Sequence, residues 1–186
     1  MLIHIIDFGS KKIRNISEML KSLGHETVVQ VWDKIDQESL KAAKGIILSG
    51  SPTYLSEVDH SPYFEHCKFL TESTVPVLGI CFGHQVLGLL HGAEVFRGPA
   101  VRETIPIALL STDPLFVGLG KETLMTEDHT EGITIPKGFI HLATSDTYKN
   151  EGMKHKQKNI WGIQFHPEVS GTNGKNLLRN FCTLCA

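Results

Sequence analysis

The sequence predicts an α/β fold: a doubly wound, mostly parallel sheet formed as one domain over residues 1–186. Three observations carry that expectation. Short apolar runs alternate with stretches of helical periodicity through the first half. No repeat, low-complexity tract or linker divides the chain. The run Val75 to Ile80 leads through a glycine-bracketed turn straight into a helical pattern, the arrangement that opens a crevice at the carboxyl end of a parallel strand.

Taken in order, Leu2 to Ile6 is a short apolar run and reads as a strand. Ile13, Ile16, Met19, Leu20 and Leu23 then recur at helical spacing until Gly24 stops the helix. Glu26 to Val31 reads as the next strand, Gln37 to Ala43 as a polar helix, and Gly45 to Leu48 as a strand. A helix over Tyr63 to Glu72, a strand over Val75 to Ile80 and a helix over Gly83 to His91 continue the alternation. Parallel strands need such helical crossovers, so the alternation itself implies parallel pairing. The second half reads differently. Turn signals at Gly98-Pro99, Asp113-Pro114, Pro136-Lys137-Gly138 and Asn150-Glu151-Gly152 separate shorter strands, before a final strand over Ile160 to Phe165 and a helix over Lys175 to Leu184.

Charge and composition exclude several functions. With 18 basic and 20 acidic residues the net charge is −2, so there is no basic surplus for a nucleic-acid backbone or an anionic membrane. The apolar runs are short and broken by Gly or Pro, and the N-terminus lacks a basic segment leading into a long apolar one. The expectation is a soluble, cytoplasmic protein with reduced thiols. Cys67 reads as core, and Cys182-x-x-Cys185 lacks a second ligand pair, so it reads as structural and no metal is expected. Lys154 to Lys158 reads as a solvated hairpin turn. No phosphate-binding loop ending in Lys-Ser or Lys-Thr occurs, which argues against ATP cleavage by this chain and leaves no cofactor implied.

The segment Gly79-Ile80-Cys81-Phe82-Gly83 places a cysteine at the strand-to-helix junction. Flanking glycines permit a sharp turn that lifts one side chain clear, and a helix N-terminus stabilises a thiolate. A lone cysteine is usually a core residue; the paired glycines favour a nucleophile here. Gly79-x-Cys81-x-Gly83-x-Gln85 resembles the nucleophile motif of class I glutamine amidotransferases, and the similarity extends along the whole chain to "GIQFHPEVSG".

That resemblance implies a flavodoxin-like fold and a Cys81-His166-Glu168 triad. In an extended segment His166 and Glu168 project to one side, so His166 is expected to exchange protons with Cys81 while Glu168 orients the ring. Gly50-Ser51-Pro52 follows a parallel strand where the family often has Gly-Gly-Pro. By that match the N–H groups of Ser51 and Phe82 form the oxyanion hole, and Gly50 belongs to the substrate loop. Gln85 reads equally as a substrate contact or a helix contact, whereas His84 reads as a packing histidine. Glu127 to Glu131 departs most. The family branch whose synthetase aminates xanthosine monophosphate usually has Ser-His-x-Asp here; only His129 matches, with Asp128 and Glu131 in place of the serine and aspartate. Asp128 and His129 are expected to bind glutamine through backbone atoms, and the acidic side chains to stand in solvent, facing a partner.

The function so implied is hydrolysis of L-glutamine to supply ammonia to an ATP-dependent synthetase. The C-terminal segment from Glu151 to Cys182 most resembles the glutaminase subunit of that same branch. Three rivals are a stand-alone hydrolase or peptidase of γ-glutamyl compounds, the glutaminase subunit of a different amidotransferase, and a non-catalytic regulatory subunit. Retention of Cys81, His166 and Glu168 together argues against the last.

Overall fold

A computed structural model describes Met1–Ala186. Eleven strands and five α-helices follow one another in the alternating order expected for the first half. Strand β1 (Leu2–Asp7), helix α1 (Ile13–Ser22), β2 (Glu26–Val31), α2 (Gln37–Leu40), β3 (Gly45–Leu48), α3 (Ser61–Cys67), β4 (Val77–Ile80) and α4 (Phe82–Leu90) build one side. Then come β5 (Val95–Val101), β6 (Thr104–Leu109), β7 (Glu122–Thr126), β8 (His129–Ile133), β9 (Phe139–Thr144), β10 (Gly152–His155), β11 (Ile160–Ile163) and α5 (Gly171–Leu184).

Nine strands form one sheet in the order β2-β1-β3-β4-β11-β10-β9-β6-β7. The strands from β2 to β11 in that order pair in parallel. From β11 outward to β7 every pairing is antiparallel. Strands β5 and β8 make a separate antiparallel ribbon. It packs beside α4, where Ile133 joins the core formed with Val86 and Leu87.

Alternation along the central strands splits the core between two faces. Ile5, Ile47, Ile80 and Ile163 pack with Ile16, Leu20, Leu177 and Phe181 of α1 and α5. Ile6, Leu48, Val77 and Ile160 pack with Cys67, Val86 and Leu87 of α3 and α4. Helices therefore cover both faces of the parallel strands, the doubly wound α/β arrangement that the alternation predicts.

Several boundaries differ from the sequence expectation. Helix α2 stops at Leu40 rather than Ala43. The helix expected over Tyr63 to Glu72 begins at Ser61, with Pro62 in its first turn where a missing N–H is harmless, and becomes a 3-10 turn over Lys68–Glu72. The last strand ends at Ile163 instead of Phe165. Beyond it the Gln164 N–H bonds to the Glu151 carbonyl and the His166 N–H to the Thr126 carbonyl at 2.8 Å, which draws the chain towards β7. No helix is long and apolar enough to cross a membrane.

Candidate active site

Cys81 is the only residue other than glycine with positive φ, at φ 51° and ψ −107°. That conformation is costly for a residue with a Cβ and persists only where its surroundings fix it. The bracketing glycines contribute space. A Cβ on Gly79 would lie 2.6 Å from the Gly83 carbonyl carbon and oxygen, and one on Gly83 would lie 2.6 Å from the Leu48 carbonyl oxygen. So the elbow strain sits on Cys81 itself, while Gly79 and Gly83 let α4 start directly against β4 and β3. The Cys81 N–H bonds to the Ile163 carbonyl at 2.8 Å and the Gly83 N–H to the Ser49 carbonyl at 3.0 Å, locking the turn from two sides.

His166 and Glu168 meet in a different way from the one expected. Pro167–Val169 is a 3-10 turn, so alternation along an extended segment is not what aligns them. The turn brings His166 Nδ1 within 2.7 Å of Glu168 Oε1, and both side chains are buried. Because the carboxylate accepts, Nδ1 carries the proton and Nε2 is the nitrogen left for exchange. Burial alone would depress the imidazolium, but the charge and hydrogen bond of Cys81 together with Glu168 outweigh it and hold His166 at about 10. Gly50 is what gives this pair room: a Cβ there would lie 3.0 Å from His166 Cε1 and 3.7 Å from Cys81 Cβ.

The groups open into a cleft of about 380 Å³. Ser51, Cys81, Phe82, Gln85, Asp128, His129 and His166 all line it, whereas Gly50, expected in the substrate loop, stands outside the lining. Ser51, Cys81 and His166 come from the carboxyl ends of β3, β4 and β11, Gln85 from α4, and Asp128 and His129 from the β7–β8 connection. Glu168 stands behind His166 rather than in the cleft wall. Phe82 is the first residue of α4, where backbone N–H groups lack intrahelical partners and can serve an anion.

Gln85 is buried and its amide is already engaged, with Nε2 donating to the Glu131 carbonyl at 3.0 Å and to Gln164 Oε1 at 3.1 Å. Gln164 in turn donates to Cys81 Sγ at 3.5 Å. Gln164 carries no role in the sequence expectation, although an uncharged polar residue at the end of an apolar strand, two positions before His166, is a visible signal. His84 is fully buried, and burial followed by the charge of His129 lowers it to about 3, as befits a neutral packing histidine.

The acidic loop overturns the expectation of a solvated face. Glu127, His129 and Glu131 are buried, and of the three acidic side chains only Asp128 stands in solvent. Glu131 accepts from the N–H groups of Leu55 at 2.7 Å and Ser56 at 3.0 Å and also from the Ser56 hydroxyl. It thereby clamps the segment that follows Ser51, while its carbonyl holds Gln85 and His129. Asp128 accepts from Lys12 Nζ at 2.6 Å, with Arg102 at 3.8 Å; the hydrogen bond from Lys12, with burial opposing, keeps Asp128 below the usual carboxylate range. Lys12 and Arg102 carried no sequence signal, because nothing local marks a lysine in a turn before α1 as lining a cleft.

Glutamine amidotransferase class-I, as a family, matches residues 4–185. The glutamine-hydrolysing GMP synthase subunit of Pyrococcus furiosus is 36% identical over 188 residues, 99% of this chain and 98% of that protein. The same-named protein of Methanocaldococcus jannaschii is 35% identical over 99% of this chain and 97% of its own length. The glutamine-hydrolysing GMP synthase of Saccharomyces cerevisiae is 36% identical over 97% of this chain, which matches only 35% of that longer protein. A glutamine amidotransferase from Thermotoga maritima superposes with a TM-score of 0.82 over all of this chain and 98% of its own, at 17% identity, a likeness of fold.

Proposed function

The chain belongs to the class I glutamine amidotransferases, and from that membership we propose that it hydrolyses L-glutamine through Cys81, His166 and Glu168 and passes the ammonia to a separate synthetase, that of GMP synthase. The observation that carries the reading is the buried Cys81-His166-Glu168 array opening on a cleft of amino-acid size.

In the first half-reaction the Cys81 sulfur attacks the side-chain carboxamide carbon of glutamine, and the carbonyl oxygen becomes an oxyanion facing the N–H groups of Ser51 and Phe82. His166 Nε2 gives its proton to the nitrogen, the C–N bond breaks, and ammonia leaves a γ-glutamyl thioester. Water then loses a proton to the same nitrogen and attacks the thioester. The C–S bond breaks and glutamate departs, so one glutamine and one water become one glutamate and one ammonia. Glu168 holds the Nδ1 proton throughout. Gly50 keeps the approach between His166 and Cys81 open, and Gln85, Asp128 and His129 form the wall that receives the amino-acid end of glutamine.

Residues 1–186 act as one glutaminase domain in this reading, in the cytoplasm, where glutamine and reduced thiols are both available. The burial of Glu131 moves the docking edge to the exposed ion pairs at the cleft mouth, Lys12 with Asp128 and Arg102. Docking there would aim the oxyanion donors and stimulate turnover. The test is glutamate release by the chain alone, with the ATP-dependent synthetase that aminates xanthosine monophosphate, and with that synthetase plus its nucleotides. Nucleotide-dependent stimulation that Asp128→Lys abolishes supports the reading. Full activity on γ-glutamyl peptides in the isolated chain, unchanged by any synthetase, moves the stand-alone hydrolase into its place.

A further inference from the structure

Behind the cleft wall, Glu127 at the end of β7, His129 at the start of β8 and Glu151 just before β10 come together, with one ligand atom from each within 4.8 Å of the others. All three side chains are buried. His129 Nδ1 is 2.8 Å from the Glu131 carbonyl, which can only accept, so Nδ1 bears the proton and Nε2 of the neutral ring presents a lone pair. That Nε2 lies 2.9 Å from Glu127 Oε2 but out of line for a hydrogen bond, and it has no other partner. Both Glu127 oxygens and Glu151 Oε2 are likewise buried and unpartnered. Glu151 Oε1 accepts from the Ser145 hydroxyl at 2.6 Å, which fixes that carboxylate and leaves its second oxygen open.

We propose that Glu127, His129 and Glu151 bind a divalent first-row transition cation, Zn²⁺ or Mn²⁺, that braces the wall of the glutamine cleft. Two carboxylates buried beside an imidazole lone pair are costly without a compensating positive charge, and one divalent ion supplies it. The imidazole selects Zn²⁺ or Mn²⁺ over Ca²⁺ and Mg²⁺, which take all-oxygen sites. A ring whose far N–H donates to a backbone carbonyl is oriented as metal-bound histidines are, and the Ser145 hydroxyl does the same for Glu151. Such an ion would join the β7–β8 turn to the start of β10. Since His129 and Glu131 line the cleft, it would stiffen the surface against which glutamine rests. The sequence offered no recognisable spacing for it, because the ligands come from three strand ends brought together only by folding. The competing occupant is a proton shared between the two carboxyl groups, which burial favours by raising Glu127 to about 7 and, together with the neighbouring Glu127, Glu151 to about 8.

The full chain is stripped with a chelator and titrated separately with Zn²⁺, Mn²⁺ and Co²⁺, while bound metal is counted after gel filtration and the thermal midpoint followed. A single ion per chain, a midpoint that rises with free metal, and a Co²⁺ spectrum without thiolate charge transfer are expected. The near-isosteric variants Glu127→Gln and Glu151→Gln should bind at least roughly tenfold more weakly and lose the midpoint shift, with unchanged circular dichroism. A folded chain that retains no ion, equal binding in Glu151→Gln, or a sulfur-ligated Co²⁺ spectrum pointing to Cys182 and Cys185 each overturns the proposal. Should the variants fail to fold, the metal count and cobalt spectrum of the unaltered chain decide it alone.

Discussion

The parallel strands carry the groups proposed to react, whereas the antiparallel pairings, at the far side of the sheet and in the β5–β8 ribbon, carry groups that hold them. Cys81 follows β4, Ser51 follows β3, and His166 with Glu168 follows β11. These are the carboxyl ends of adjacent parallel strands, where crossover connections leave loops free to bear function. Opposite them, the Thr126 carbonyl at the end of β7 receives the His166 N–H, and the Ser170 hydroxyl bridges the Thr126 N–H to the His166 carbonyl at 2.9 and 2.6 Å. Glu131 of β8 clamps the loop after Ser51. Chemistry and restraint are thus divided between two kinds of strand pairing. A substitution on the first side should remove a reacting group, while one on the second should misplace it.

The largest expected effect is on the parallel side. Cys81→Ala should lower glutamine hydrolysis by roughly 10⁴-fold or more, as loss of a nucleophile does, while the chain keeps its fold by circular dichroism, since the elbow is held by the Ile163 and Ser49 carbonyls rather than by the thiol. An electrophilic glutamine analogue should label Cys81 alone; mass-spectrometric detection of the adduct on Cys67, Cys182 or Cys185 would break the assignment.

His166→Ala should be nearly as severe, and Glu168→Gln should be milder by roughly tenfold or more, since one residue transfers protons and the other orients the ring. The pH dependence sharpens this. His166 rises from 6.5 to about 10 on folding, so the stability it contributes is fully present below pH 6.5 and is lost as pH climbs through 10. Glu168→Gln should reduce that alkaline loss in urea unfolding series and bring the alkaline limb of turnover to lower pH. An unmoved limb would mean that Glu168 does not tune the ring.

Among the antiparallel strands, Glu131→Gln should lower kcat by roughly tenfold, less than the hundredfold or more that follows outright removal of an oxyanion donor. The loop after Ser51 would lose a charged acceptor but keep its backbone path. A kcat equal to that of the unaltered chain would dissolve the proposed division between the two sides. The smallest effect should come from Asp128→Asn, whose ion pair with Lys12 is partly exposed, with side-chain exposures of 46% and 24%. Stability measured by thermal unfolding should change by less than about 1 kcal/mol, and more at low salt than at high salt.

The sequence by itself determined the strand–helix alternation, the elbow around Cys81 and the nearness of His166 to Glu168, because each is written within one turn or one period of the chain, although the 3-10 turn that aligns the pair was not legible in it. Periodicity places an apolar face, and a glycine-bracketed cysteine after a strand is a local event. Tertiary structure decided the rest. The acidic loop expected in solvent became the buried clamp of Glu131 and the cluster of Glu127, His129 and Glu151, and Lys12 came to line the cleft. Whether a glutamate is solvated or buried depends on what stands across from it. On the antiparallel side the strands opposite come from separate stretches of chain, whose register is fixed by side-chain packing and hydrogen bonds rather than by any spacing along the sequence.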